Sequence, residues 1–236
     1  MLILFLLIFF FSSSPATAAD RCVTAPVLMY HHVQPYKDAV AKKQTALTVV
    51  PDAFRKQLQY LRDKKYNVIT SQDLINFFDA NTSLPSKPVL LTFDDGYSDM
   101  SNVVLPVLKE FNFPATFFLS TGLVNNKSYL TWDEIKSVSS SNFIFANHTW
   151  SHALSTSKKI DWEISTADTQ LRDNGINTKI FAYPYGSNNN NEITILKKYG
   201  YQLAFTTRKG TRLCASNRFL LPRLRIGNAS LSSYGL

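Results

Sequence analysis

The stretch Pro88-Val89-Leu90-Leu91-Thr92-Phe93-Asp94-Asp95-Gly96-Tyr97 runs from an apolar segment straight into two adjacent carboxylates and a glycine. A short continuous apolar run bounded by turn residues reads as a buried strand. Two carboxylates at the mouth of such a strand are costly unless a metal, a cation or a shared proton compensates them. Gly96 allows the backbone to turn away at that point. Asp-Asp-Gly alone reads first as a solvated turn. The reading shifts because a second chemical element, His148-Thr149-Trp150-Ser151-His152, follows downstream.

Outward from this strand, the pattern alternates. Pro26–Tyr30 is an apolar run ending in His31-His32, whereas residues 34–50 are polar and read as an irregular loop. Phe54, Leu58 and Leu61 have helical spacing after Pro51 and Asp52, and Asn67–Thr70 reads as a strand with Ser71 as the cap of a helix through Phe78. Downstream, helices are expected over Val103–Phe111, Trp132–Val138, 159–173 and Ile193–Tyr199. Strands are expected over Ala115–Leu119, Phe143–Ala146, Lys179–Tyr183, Gln202–Thr206 and Phe219–Ile226. Strands alternating with helices predict parallel βα units. Some seven or eight strands, with no dinucleotide-type glycine fingerprint, favour a closed or distorted barrel over an open doubly wound sheet. The expectation is one α/β domain, with chemistry at the C-terminal strand ends, where Asp94, Asp95, His31, His148 and Tyr185 all fall.

At 236 residues, 45% of them hydrophobic and 13% aromatic, the chain can bury one sizeable core. Residues 2–11 are wholly apolar and lead into Ser12–Pro15 and Ala16-Thr17-Ala18. That reads as a signal peptide over 1–19, cleaved near Ala18, with the working domain over 20–236. No Lys or Arg precedes the block, so an uncleaved anchor is the alternative. Export to a periplasmic or extracellular location is expected. Cys22 and Cys214, the two cysteines, lie near the two ends of the mature chain and suit one disulfide, against the alternative of two free thiols. The net charge is +8, and residues 193–236 carry eight Lys and Arg with no Asp or Glu. Such a strip is either a solvated face or a surface for an anionic envelope or polymer. Nothing suggests nucleic acid.

His148 and His152, four apart, can face one ion from a single helical turn or a suitable loop. Asp95 would complete a set of three ligands, which leaves a coordination position open for water, as a catalytic site requires. The adjacent Asp94 is placed to act as general base. One divalent ion is expected, Zn²⁺ first, with Co²⁺, Ni²⁺ or Fe²⁺ as alternatives. Each piece has a bland reading as a surface coincidence or a turn, and their joint occurrence at strand ends argues against it.

Thr92-Phe93-Asp94-Asp95-Gly96-Tyr97 together with His148-Thr149-x-x-His152 resembles the polysaccharide deacetylases of carbohydrate esterase family 4, the NodB-homology domain, over roughly residues 26–226. The resemblance implies a distorted (β/α)7 barrel, with Asp94 as base and Asp95, His148 and His152 as metal ligands. Tyr183-Pro184-Tyr185-Gly186 resembles a further family motif, in which the Tyr185 N–H would bind the oxyanion. Many members carry Arg at the position of Ala182, so the residue that orients the base is absent or replaced. No His follows His152, although many members use a late one as general acid. Met29-Tyr30-His31-His32-Val33 instead resembles the start of the subgroup acting on poly-β-1,6-N-acetylglucosamine, which points to His31 as the acid, with His32 packing on the opposite face. The resemblance thus implies a hydrolase removing N-acetyl groups from an N-acetylglucosamine glycan, first a β-1,6-linked exopolysaccharide. Peptidoglycan or chitin oligomers are the alternative substrates, and a non-catalytic glycan-binding protein is the alternative class.

Overall fold

The computed structural model describes residues 20–79 and 82–236, and the expected leader lies outside them. The chain enters through β1 (Cys22–Thr24), β2 (Val27–Tyr30), β3 (His32–Val33), α1 (Tyr36–Ala41), β4 (Thr48–Val49) and α2 (Pro51–Asp63). It continues through β5 (Asn67–Val68), α3 (Ser71–Asp79), β6 (Pro88–Phe93), α4 (Leu105–Phe111), β7 (Ala115–Leu119), α5 (Trp132–Val138) and β8 (Phe143–Asn147). The last part holds α6 (Ile160–Asp173), β9 (Ile180–Ala182), α7 (Asn190–Lys198), β10 (Leu203–Phe205), β11 (Arg212–Cys214) and β12 (Leu224–Arg225).

Seven parallel strands run in the order β10-β9-β8-β7-β6-β2-β12, and β5 pairs with the start of β6. The sheet curls until its ends approach. Phe205 bridges Leu221, and the Thr206 N–H donates to the Leu221 carbonyl at 2.8 Å. This is a distorted barrel, in agreement with the alternation of elements in the sequence. Side chains alternate across each strand. On one face Tyr30, Phe93, Phe117 and Phe145 stack from strand to strand, with centroids 5.1–5.2 Å apart, beneath Phe54, Leu58 and Leu108 of the helices. The other face encloses Leu90, Phe118, Ile144, Ala182, Leu203 and Phe205. β6 is buried along its whole length, as its uninterrupted apolar sequence requires.

Several boundaries differ from the sequence reading for local reasons. The cap of α3 is Thr70, whose side chain accepts from the Asp73 N–H while Asp73 accepts from the Thr70 N–H. Ser71 turns inward to bond Thr116 instead. Residues 34–50 are not an irregular loop, because they contain α1 and β4, which pairs with β3 just before them. The expected strand over Phe219–Ile226 shrinks to Leu224–Arg225, preceded by the bridge at Leu221. Cys22 and Cys214 stand opposite each other in the β1–β11 pair and form a disulfide. Among the described residues no helix is long and apolar enough to cross a membrane.

Candidate active site

His31, Asp94, Asp95, His148, His152 and Tyr185 line one open cavity of about 300 Å³ at the C-terminal ends of the strands, so all six residues singled out in the sequence come together. β6 ends at Phe93, and the next two residues leave the strand with opposite duties. Asp94 points into the barrel. Asp95 takes a left-handed backbone (φ 76°) and turns toward the histidines, with Gly96 (φ 80°) completing the turn.

Two histidines are presented by a loop and not by a helical turn. Thr149 and His152 both have positive φ, 65° and 61°. The loop is pinned at several points. Asn147 accepts from the Thr149 N–H at 2.7 Å, Thr149 Oγ1 accepts from the Ala153 N–H at 2.9 Å, and Glu163 accepts from both the N–H and the hydroxyl of Ser151. Tyr185 is also left-handed (φ 59°) and sets its ring edge-on to His152, with centroids 4.5 Å apart. Four non-glycine residues of the site therefore sit in a backbone region that costs of order 1–3 kcal/mol each, and such positions persist only where the surroundings impose them. Gly186 behind Tyr185 has φ 71°, and a Cβ there would lie 2.7 Å from the backbone nitrogen of Thr207.

The Asp95, His148 and His152 ligand atoms converge. Asp95 Oδ1 lies 3.3 Å from His148 Nε2 and 3.2 Å from His152 Nε2. It is buried yet makes no hydrogen bond of proper geometry, and all three ligand atoms lie within 4.8 Å of one another. His148 Nδ1 sits 2.7 Å from the Ala182 carbonyl, which can only accept, so Nδ1 carries the proton and Nε2 faces the carboxylate. An orphaned buried oxygen facing two imidazole nitrogens is the donor set that a divalent ion fits.

Asp94 is held differently. Arg223, itself buried, donates to both carboxylate oxygens at 2.7 Å, while its Nε donates to the Thr206 carbonyl and Nη1 to Thr92 Oγ1. Burial alone would raise the Asp94 carboxyl, but Arg223, helped by His148, outweighs it and holds the group below its ordinary value. Of the two alternatives at Ala182, an orienting residue absent or replaced, the contacts of Asp94 fit replacement. The guanidinium comes from Arg223, immediately before β12 and next to the seam where Phe205 bridges Leu221. No local sequence signal identifies Arg223. The buried carboxylate at Asp94 demanded a cation, and only the closure of the sheet says which.

His31 follows β2 at the cavity wall, and burial pushes its imidazole down to about 4, opposed by Asp94 and Asp95 and aided by Arg225 and Arg223. His32 faces the other way, as its alternation in the strand requires. Its Nδ1 lies 3.0 Å from Asp99 Oδ1, and its ring stacks on Tyr97 at 3.6 Å.

The sequence profile of the polysaccharide deacetylases matches residues 81–204, more than half of the chain. The chain belongs to the polysaccharide deacetylase family. The deacetylase PplD of Streptococcus pyogenes, solved with acetate, superposes with a TM-score of 0.80 at 30% identity, covering 90% of this chain and 98% of that one. YxkH of Bacillus subtilis is 28% identical over 92% of this chain and 76% of its own length. The poly-β-1,6-N-acetyl-D-glucosamine N-deacetylase of Staphylococcus epidermidis is 26% identical over 87% of this chain and 80% of its own. This deacetylase is thus an enzyme of that family, whose barrel gathers His31, Asp94, Asp95, His148, His152 and Tyr185 at one mouth.

Proposed function

We propose that this deacetylase is an exported, metal-dependent enzyme that removes acetyl groups from an N-acetylglucosamine polymer, with the β-1,6-linked polymer as the first substrate. The observation that carries the reading is the juxtaposition, at one cavity, of an ionised Asp94–Arg223 pair with the convergent Asp95, His148 and His152 atoms. The β-1,6 linkage is supported by the Met29–Val33 motif and by the similarity to the staphylococcal poly-β-1,6-N-acetyl-D-glucosamine N-deacetylase. Export is supported by the Cys22–Cys214 disulfide, which an oxidising compartment preserves.

Asp95, His148 and His152 would hold the ion. A divalent ion there would polarise the acetamide carbonyl and acidify a nearby water. Asp94 takes the proton of the attacking water, and the bidentate Arg223 keeps its carboxylate ionised and aimed. The Gly186 and Ser187 N–H groups are used within their own turn, and the Tyr185 N–H is assigned to the oxyanion as charge develops there. The C–N bond then breaks as His31 donates a proton to the leaving amine, giving acetate and a free amino sugar. Burial leaves His31 neutral near pH 7, so it must gain this proton within the turnover. The proton that Asp94 took from water is the one available.

The test is acetate release from β-1,6-linked N-acetylglucosamine oligomers by residues 20–236, after chelation and after Zn²⁺ is restored. Asp94→Asn should keep the metal and lose roughly 10²–10⁴-fold in rate, whereas His148→Ala should lose both. Full activity in Asp94→Asn overturns the mechanism. Release from chitin or peptidoglycan fragments alone keeps the chemistry and discards the linkage.

A further inference from the structure

We infer that the active-site cavity carries a subsite for an anionic substituent, a phosphate or a carboxylate, on or beside the acetylated sugar, and that Arg225 is its principal contact. The inference rests on the deacetylase reading above and narrows its substrate.

Arg225 lies on β12 and Arg223 immediately precedes that strand, two residues away, a spacing at which extended side chains share a face. Arg223 points inward to Asp94. Arg225, one step nearer the mouth, lines the same cavity as His31, Asp94 and Asp95 and is exposed to solvent. It is in register with Met29, two residues before His31. The basic C-terminal segment is partly used up in ion pairs, namely Lys198 with Asp161, Arg218 with Asp79 and Arg223 with Asp94. Among the described residues no such pair includes Arg225. A second exposed guanidinium, Arg208, leaves the same rim. Its carbonyl accepts from the Arg223 N–H at 2.8 Å, it follows the cavity residue Thr207, and its Nη2 reaches Asn188 Oδ1 at 3.3 Å.

Charge balance gives these cations a meaning. Asp94 is neutralised by Arg223 through two short hydrogen bonds, and Asp95 is committed to the two histidines. Neither carboxylate forms an ion pair with Arg225, whose guanidinium stands free in the cavity wall among the described residues. The rest of the cavity includes an aromatic and apolar group, Tyr97, Tyr129 and Leu123, with the two tyrosine rings stacked 5.2 Å apart. An apolar surface suits the faces of sugar rings, and a guanidinium suits a bidentate anion. A plain N-acetylglucosamine polymer offers only neutral oxygen acceptors and its deacetylated product is cationic, so the charge of this residue goes unused with the first and repels the second. A sugar bearing a phosphate or carboxylate satisfies both surfaces at once.

The experiment compares an unmodified β-linked N-acetylglucosamine trisaccharide with its 6-phosphate and with one containing N-acetylmuramic acid. Binding is read by calorimetry on the metal-stripped protein, so that it does not depend on turnover, and acetate release is measured beside it. The expected result is at least about fivefold tighter binding of one or both charged sugars, weakened by salt. Arg225→Glu should reverse the preference, and Arg225→Lys should keep part of it, with thermal melting confirming that both variants fold. A preference for phosphate alone or carboxylate alone identifies the substituent. Equal binding of neutral and charged sugars by the unmodified protein, or a preference that Arg225→Glu leaves intact, overturns the subsite. Absence of acetate release from every sugar counts against the deacetylase mechanism, while the calorimetry still decides the subsite.

Discussion

Arg223 and Asp94 form a fully buried, bidentate ion pair, and the two partners respond unequally to replacement. Removing the arginine strands a carboxylate in the barrel, and breaking a buried pair in this way costs about 3–5 kcal/mol. Arg223→Met should therefore lower stability by roughly that amount and raise the Asp94 pKa, so that activity shifts to higher pH as well as falling. The double variant Arg223→Met, Asp94→Asn removes the stranded charge and should recover part of the stability while remaining inactive. Denaturant unfolding of the three proteins, with the pH–rate profile of the single variant, checks both points. A single variant as stable as the double one would mean that the pair carries no charge-burial cost. At this scale much of the site was legible, because Asp94, Asp95, His148 and His152 announce themselves by residue type and spacing. Arg223 did not. It stands 129 positions from its partner, and only the curl of the sheet brings the two together.

At the level of elements, the sequence was most legible where periodicity and capping agree. α5 spans Trp132–Val138 as expected, and Thr131 with Glu134 closes its first turn reciprocally. α7 begins at Asn190, three residues before the expected Ile193, because a run of asparagines reads as loop while Asn189 in fact caps the helix by accepting from the Glu192 N–H. That first turn carries an unusual group. Glu192 is fully buried, neither carboxylate oxygen has a hydrogen-bond partner, and burial pushes its pKa up to about 8. The folded state thus holds a proton that the unfolded chain releases near 4.5. Its contribution to stability is complete below that value and is lost as pH rises toward and through about 8. At 1.36 kcal/mol per unit, the cost of ionising it in the folded protein reaches at most about 4–5 kcal/mol. Melting temperatures followed from pH 5 to 9 should fall more steeply for the unmodified protein than for Glu192→Gln. Parallel curves would show that Glu192 does not titrate across this range.

The molecule as a whole is closed twice, once by the sheet and once by a covalent bond. Phe205 of β10 bridges Leu221 just before β12, and outside the barrel β1 pairs with β11, joined by the Cys22–Cys214 disulfide. Hydrogen bonds from Ser216 to Asp20 and from the Ala215 N–H to the Arg21 carbonyl reinforce the same seam. The cysteines are separated by 192 positions, so the cross-link restricts nearly the entire unfolded chain. The chain-entropy estimate for a loop of that length is about 5 kcal/mol, an upper value because compact unfolded chains have less entropy to lose. None of the six residues assigned to catalysis lies on β1 or β11. The disulfide should therefore matter for stability and not for chemistry. Cys22→Ser, Cys214→Ser protein should unfold at markedly lower denaturant than the unmodified chain, and it should retain most of its acetate release at temperatures well below its own melting point. Reduction of the unmodified protein should reproduce the shift. If instead activity disappears while the variant is still folded, the seam must also set the position of Arg223, nine residues beyond Cys214, and the barrel closure would be part of the catalytic geometry.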